Sequence, residues 1–387
     1  MSEDRIEADL NAALAAARRE TGLEDLGAPE VLDPLRRFIE QCSLVPFNEA
    51  GRSGAQQQLH RWLINRLRIA HDLRCHPEIL DEDVSDPIVV LGFPRSGTTM
   101  FQRMMSANPE VQSLLMWKVM NPAPFPGEDL TGPVNRIAFA KAVEDHLRAE
   151  QPGLFAAHPM IADDAEEDWF LHHLSLQHVS SYILAPSYEY LNYLRGLSRL
   201  PTYHYVADIL RYLQWQDGGR RGRKWILKSP VHIGNIEEIL ACHPGAMFVY
   251  LMRDFETVVA SNCNVTEEFV YKPNFRHYDP RDIGAITLDF WGEEMHRFRE
   301  ARLRLGSALN IVELPYQDVL RDPIRHIRHI FERSGNHLST AGATSILNWI
   351  ASNPQGKHGR SEYSLERYGL TGQMVEEKLG SDANGAK

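Results

Sequence analysis

The sequence predicts an α/β protein with three layers and a mostly parallel central sheet. Four short, continuous apolar runs have the composition of buried strands and span residues 88–93, 225–227, 247–252 and 309–314. Helix-like segments separate these runs, and strands that alternate with helices form parallel sheets covered by helices on both faces. The first run also leads through a glycine-rich loop into a helix, which is the setting of a phosphate-binding loop.

Two helical regions are predicted to extend this fold. Residues 1–85 form a helical N-terminal region, since apolar residues recur there at helical spacing. Residues 86–380 form the α/β domain, and residues 116–220 form a helical insertion within it. Eleven aromatic residues between positions 155 and 215 are typical of a subdomain core or of an apolar wall for a ligand. Residues 381–387 (SDANGAK) predict a disordered tail.

Composition excludes several classes of protein. Hydrophobic residues make up 43% and charged residues 24% of the 387 residues, as in ordinary globular proteins. A formal net charge of −11 disfavours nucleic acid and anionic lipid as partners. No apolar run reaches the roughly 20 residues of a membrane span, the first ten residues lack a secretory signal, and the four cysteines follow no metal or disulfide pattern. We therefore expect a cytoplasmic protein that acts on a small molecule.

The loop at residues 92–99 (GFPRSGTT) has the GxxxxG spacing of a phosphate-binding loop. Gly92 and Gly97 allow the tight turn, and the N-terminus of the following helix attracts an anion. An NTPase loop has lysine after the second glycine, whereas this chain has Thr98 there and places its cation, Arg95, inside the loop. The sequence therefore predicts a P-loop-type fold that binds phosphate. The missing lysine argues against phosphoryl transfer from ATP. The predicted phosphate ligands are Arg95, Ser96, Gly97, Thr98 and Thr99.

The segment PRSGTT resembles the 5′-phosphosulfate loop of sulfotransferases that use 3′-phosphoadenosine 5′-phosphosulfate (PAPS). Residues 247–261 resemble the second signature of that family, in which a strand is followed by Arg-Asp and a helix. The resemblance implies that Arg253 and Ser261 hold the 3′-phosphate of the donor. An arginine at a strand end can form two parallel hydrogen bonds to a phosphate. We expect Asp254 to cap the following helix.

Weaker likeness to the same family extends over about residues 20–380 and is strongest for a bacterial group whose N-terminal part is also helical. The segments YQDVLRDP and KHGR resemble two family elements near the nucleotide, which implies donor-binding roles for Tyr316, Lys357 and Arg360. The chain departs from the family at Phe255, where proline is usual, and at Lys118, where many members have glutamate. If that glutamate is the base elsewhere, this chain needs another base.

Sulfuryl transfer needs a base for the proton of the acceptor and cations for the leaving phosphate. Lys228 follows the strand at residues 225–227, and strand ends face the ligand crevice in parallel sheets; the resemblance implies a lysine that contacts the bridging oxygen. Glu167 precedes an apolar segment, an environment in which a carboxylate becomes a stronger base. The acidic run at residues 163–168 is equally typical of a solvated helix start. The base therefore stays open among four residues, His158, Glu166, Glu167 and His232.

The sequence thus predicts an enzyme, a PAPS-dependent sulfotransferase that modifies a hydroxyl group of a small or mid-sized acceptor. No metal is expected, because Lys228 and Arg95 supply the positive charge. Two alternatives stay open. The first is a P-loop kinase or NTPase, which Thr98 disfavours. The second is a non-catalytic protein that binds PAPS or its product PAP (3′-phosphoadenosine 5′-phosphate), an alternative that Lys118 keeps open.

Overall fold

The computed structural model describes residues 2–220, 222–354 and 364–380 and contains one five-stranded sheet. Every strand pairs in parallel with its neighbours, in the order β2-β3-β1-β4-β5. The strands are β1 (Ile88–Leu91), β2 (Val111–Ser113), β3 (Lys224–Lys228), β4 (Met247–Met252) and β5 (Ile311–Pro315). The predicted fold class is confirmed. The short strand β2, whose sequence is VQS, was not expected.

The N-terminal region consists of three helices, α1 (Glu3–Thr21), α2 (Leu32–Leu44) and α3 (Glu49–Cys75). Helix α1 ends at Gly22, whose φ of 69° is the left-handed conformation that glycine adopts readily. The side chain of Asn48 caps α3 by accepting a hydrogen bond from the backbone N–H of Gly51 at 2.8 Å. Buried residues of α1 and α3 share one hydrophobic cluster with the sheet.

Both faces of the sheet are buried, which explains why its strands read as continuous apolar runs. All four residues of β1 are fully buried and alternate between two hydrophobic clusters. Val89 and Leu91 face the N-terminal helices and the insertion. Ile88 and Val90 face α4 (Thr98–Ser106) and the C-terminal helices. The phosphate loop leads directly from β1 into α4.

The insertion contains short helices joined by irregular chain. They are α5 (Met116–Met120), α6 (Val134–Glu150), α7 (Pro152–Ala157), α8 (Trp169–His172), α9 (Tyr188–Arg195) and α10 (Leu200–Gln216). Most of its aromatic side chains belong to the core, and Tyr190, Tyr203 and Tyr212 are at most 2% exposed. Trp169 and Phe170 are only partly buried. The insertion therefore supplies both a core and part of an open surface.

The remaining helices cover the sheet after β3. They are α11 (Ile236–Cys242), α12 (Phe255–Thr266), α13 (Lys272–Asn274), α14 (Pro280–Leu305), α15 (Tyr316–Arg321), α16 (Pro323–Arg333), α17 (Thr340–Ser352) and α18 (Gly372–Leu379). A single π-helical turn, Glu267–Tyr271, connects α12 to α13. Within the described part of the chain, no helix is both long and apolar enough to cross a membrane.

Candidate active site

The phosphate loop holds its shape through backbone conformations that favour glycine. Gly97 has a φ of 94° at the start of α4, and a Cβ atom at this position would collide with the ring of Tyr316. The Ser96 hydroxyl donates to the carbonyl oxygen of Phe93 at 2.7 Å, which closes the turn. The N-terminus of α4 therefore points into the loop, where its unpaired N–H groups and its dipole favour an anion.

The two signature segments of the sequence meet in space, because β4 pairs directly with β1. Nη1 of Arg253 donates to the carbonyl oxygen of Arg95 at 2.8 Å, and Nε of Arg95 donates to the Ser261 hydroxyl at 3.3 Å. The guanidinium of Arg253 also lies 4.8 Å from the ring centre of Tyr316. The carboxylate of Asp254 caps α12, as expected. Four of the predicted donor-binding residues therefore form one contact group.

Lys228 connects the phosphate loop to the acidic segment of the insertion. It ends β3, the other neighbour of β1 in the sheet, and is 1% exposed. Its Nζ donates to the hydroxyl of Thr99 at 3.0 Å and forms a close ion pair with Oε1 of Glu167. The lysine charge is thus fixed between a loop hydroxyl and a carboxylate at the end of a parallel strand.

Most of the acidic segment at residues 163–168 is packed against α4, which contradicts one of its two interpretations, that of a solvated helix start. Arg103 donates to the carbonyl oxygens of Pro159 at 2.8 Å and Ala165 at 3.2 Å, and it pairs with Asp164 at 3.2 Å. Gln102 donates to the carbonyl oxygen of Glu166 at 2.9 Å. These contacts bury Glu166, Glu167 and Asp168.

His158 and Glu166 form a second polar pair beside Glu167. Nε2 of His158 lies 3.3 Å from Oε1 of Glu166, which is fully buried. Burial opposes ionisation of Glu166, but the charges of His158, Arg103 and Lys228 together lower its pKa to about 2. A carboxylate with so low a pKa is a weak base, so Glu166 is better suited to holding His158 in place.

His232, a candidate base, and Lys118, which stands where many family members have glutamate, are both engaged in other contacts. His232 is 2% exposed in the 3-10 helix Pro230–Gly234, where its Nε2 lies 2.8 Å from Oδ2 of Asp168 and its Nδ1 lies 3.1 Å from the Tyr203 hydroxyl. Lys118 forms an ion pair with Asp217. Neither His232 nor Lys118 is among the described residues that line the cleft.

A cleft that holds about 180 Å³ of enclosed space and is partly open to solvent lies beside the loop, and Thr99 and Glu167, the two contacts of Lys228, are among the residues that line it. At the loop end it is lined by Arg95, Thr98, Thr99, His158 and Glu167. Its walls are largely apolar, and their aromatic members are Trp169, Phe170, Tyr182, Phe269, Phe290 and Trp291. Phe269, Phe290 and Trp291 follow the insertion, and the sequence did not predict them as site residues. In sequence alone, an aromatic residue that lines a cleft cannot be told from one that packs in a core. Lys357 and Arg360 lie outside the described residues.

Comparison with known proteins shows to which family this chain belongs. A model of the sulfotransferase family matches residues 87–339, which include the loop, Lys228, Arg253 and Tyr316. The chain belongs to the sulfotransferase family. The predicted family is therefore confirmed, and the family match covers the sheet and most of the helices around it.

Two solved structures share the whole fold of this family member. Sulfotransferase STF1 from Mycobacterium tuberculosis H37Rv is 27% identical with a TM-score of 0.82, and the match covers 95% of this chain and 97% of that chain. Sulfotransferase STF9 from Mycobacterium avium is 25% identical with a TM-score of 0.82, covering 95% and 94% of the two chains.

Two curated relatives are more distant in sequence. The omega-hydroxy-beta-dihydromenaquinone-9 sulfotransferases Stf3 of Mycobacterium tuberculosis and Mycobacterium bovis are each 21% identical over 256 residues, which is 64% of this chain. The match spans 62% of the length of these relatives, so less than two thirds of each is aligned.

Proposed function

We propose that this protein transfers a sulfuryl group from PAPS to a hydroxyl group of an acceptor bound in the cleft. The observation that carries the proposal is the contact between Arg95 and both Arg253 and Ser261, which are 158 and 166 positions away in sequence. Arg95 and Arg253 are neighbours in space, and two neighbouring arginines suit a ligand with two separate anionic groups. PAPS has a 5′-phosphosulfate and a 3′-phosphate.

The donor would bind across the carboxyl ends of β1 and β4. The loop at residues 92–99 would hold the 5′-phosphosulfate at the N-terminus of α4. Arg253 and Ser261 would hold the 3′-phosphate, whose oxygens would replace the present contact between Arg95 and Ser261. Tyr316 packs against Arg253 and limits its movement. Donor-binding roles for Lys357 and Arg360 rest on the sequence resemblance alone.

In the reaction, the acceptor oxygen forms a bond to sulfur while the bond between sulfur and the 5′-phosphate oxygen breaks. The electron pair of the broken bond leaves with the phosphate, which gives PAP, and the proton of the acceptor passes to a base. Lys228 would stabilise the charge that develops on the leaving oxygen, because its Nζ is already fixed beside Thr99. For this role, the ammonium group of Lys228 must move from Glu167 toward the leaving oxygen.

Glu167 is the base that we propose. Glu167 lines the cleft and its carboxylate pairs with Lys228, so this carboxylate lies beside both the space for the acceptor and the residue that would assist the leaving oxygen. His158 is the second candidate, since it lines the cleft and is held by a carboxylate, as many catalytic histidines are. His232 is not proposed as the base, because it is not among the described residues that line the cleft and its ring is held between Asp168 and Tyr203.

Calorimetric titration with PAP and with adenosine 5′-phosphosulfate tests the donor assignment. Charge-assisted hydrogen bonds contribute about 1.5–3 kcal/mol each, so Arg253→Ala should weaken PAP binding roughly 10- to 150-fold. Binding of adenosine 5′-phosphosulfate, which has no 3′-phosphate, should barely change. Arg281→Ala is the matched control, since that side chain is 74% exposed and pairs with Asp279.

Three results would contradict the donor assignment. Equal weakening of both ligands by Arg253→Ala would make Arg253 a structural residue. An equal effect of Arg281→Ala would show that the loss is not specific to the site. Binding of ATP with magnesium in place of PAP would favour phosphoryl transfer instead.

A further inference from the structure

The cleft has one charged end and one uncharged end. Of the described residues that line it, the only acidic or basic side chains are those of Arg95, His158 and Glu167, and all three lie at the loop end. These charges are used by the reaction centre of the proposed sulfuryl transfer. The remainder of the lining must therefore contact the part of the acceptor that does not react.

That remainder is mainly apolar, with aliphatic side chains such as Ile183, Leu184 and Val231 and aromatic rings from two sides of the cleft. The insertion contributes Trp169 and Phe170, whose ring centres are 5.1 Å apart. Helix α14 contributes Phe290, whose ring lies 4.9 Å from that of Tyr182 and 5.0 Å from that of Trp291. Because the rings support one another at normal packing distances, the wall exists before an acceptor binds.

The π-helical turn after α12 completes this wall. It brings Phe269 and Val270 to the cleft, while Glu267 is not among the described lining residues and is 1% exposed. Glu267 accepts hydrogen bonds from Arg367 at 2.6 Å and from the Tyr368 hydroxyl at 2.9 Å. Single π-helical turns are uncommon and occur often at functional sites. The buried anchor holds the uncommon turn in the position that presents Phe269.

The few neutral polar groups on the wall limit what it can bind. Among the described lining residues outside the loop end, Ser180, Ser229, Asn262 and Thr266 are polar and uncharged, and Tyr182 adds one phenolic hydroxyl. A sugar would bring several hydroxyls, and each hydroxyl buried without a partner lowers affinity roughly 10-fold or more. A second charged group on the acceptor would be desolvated against aromatic rings, which is more unfavourable still.

We infer that the acceptor is an uncharged molecule with an apolar body and a hydroxyl group at one end. The body lies against the aromatic wall, and the hydroxyl reaches Glu167 beside Lys228. This inference rests on the proposed sulfuryl transfer and adds the chemical class of the acceptor. The matching geometry is a cleft with Arg95, His158 and Glu167 at its loop end, whose other described lining residues are neutral and mainly apolar.

The test is a binding measurement on the full chain saturated with PAP, read from tryptophan fluorescence, since Trp169 and Trp291 line the cleft. The probes are 1-decanol, 10-hydroxydecanoate and glucose. We expect saturable binding of 1-decanol, binding of 10-hydroxydecanoate at least about 10-fold weaker, and no saturation by glucose. The first two probes share a chain length and differ by the carboxylate at the far end.

Two variants separate wall contacts from general effects. Phe269→Ser, at a half-buried position, should weaken 1-decanol binding about 10-fold while leaving PAP affinity unchanged. Leu303→Ser is the matched control, because Leu303 is 79% exposed on α14. This variant should change the affinity for neither 1-decanol nor PAP.

Several outcomes overturn the inference. They are tighter binding of glucose or 10-hydroxydecanoate than of 1-decanol, no saturable binding of 1-decanol, and an unchanged affinity for 1-decanol in Phe269→Ser. Failure of the proposed function looks different, because 1-decanol would then bind as expected while PAPS stayed intact in its presence.

Discussion

Mild acid should destabilise this protein, because helix α8 and its surroundings bury histidines in the neutral form. His172 and His173 are 0% and 3% exposed, and burial lowers the pKa of each from 6.5 to about 3. Burial also lowers the pKa of His243 to about 4 and that of His178 well below its usual value. In the unfolded chain such side chains ionise near their ordinary pKa.

The direction of the effect follows from proton binding. Below about pH 6.5 the unfolded chain takes up protons that these buried histidines do not, so the free energy of unfolding falls as the pH falls. Between about pH 7 and pH 5.5 the loss is about 1 kcal/mol for each of His172, His173 and His243, or about 3 kcal/mol together. Glu166, with its pKa of about 2, stabilises the fold above pH 4.5 and loses that effect only as the pH falls further.

Urea unfolding followed by circular dichroism at about pH 7 and about pH 5.5 measures this difference. Replacing His243 by glutamine should remove about 1 kcal/mol of the pH dependence, since the amide can still donate to the carbonyl oxygen of Val84 that His243 contacts at 2.6 Å. A free energy of unfolding that stays constant or rises toward the lower pH would refute the assignment of these histidines as neutral.

Three further predictions concern the reaction itself. Lys228→Ala should lower kcat roughly 100- to 1000-fold with little change in KM, because Lys228 acts on charge that develops in the transition state; a raised KM with unchanged kcat would contradict this role. Glu167→Gln should lower kcat roughly 100- to 10000-fold, and more than His158→Asn does; the reverse order in steady-state assays would move the base to His158. Turnover should survive treatment with EDTA, since the chain supplies cations of its own in Lys228 and Arg95; loss of turnover that magnesium restores would favour the kinase alternative.

The strands of the sheet could be predicted from the sequence because both of their faces are buried. Such strands read as continuous apolar runs, as the 88–93 and 247–252 segments do. Strand β2 (Val111–Ser113) could not be predicted, because a three-residue strand with a central glutamine has no distinctive pattern. The phosphate loop was predictable because its glycine spacing reflects a backbone conformation, which is a local property.

Contacts between distant segments could not be predicted in the same way. The ion pair of Glu167 with Lys228 joins residues 61 positions apart and depends on Arg103, which holds the acidic segment against α4. The sequence shows the charges of that segment but not their partner, so a solvated helix start was an equally good interpretation. His232 is close to Lys228 in sequence, yet a 3-10 turn directs its side chain to Asp168.

The central claim is that the protein moves a sulfuryl group from PAPS to an alcohol. The most direct measurement is mass spectrometry of a reaction containing the protein, PAPS and a mixture of apolar and polar alcohols. We predict that one alcohol gains the mass of a single SO₃ group and that PAP appears in equal amount, with both products lost in Lys228→Ala. PAPS that remains intact with every alcohol, or PAP that forms without any sulfated product, would contradict the claim.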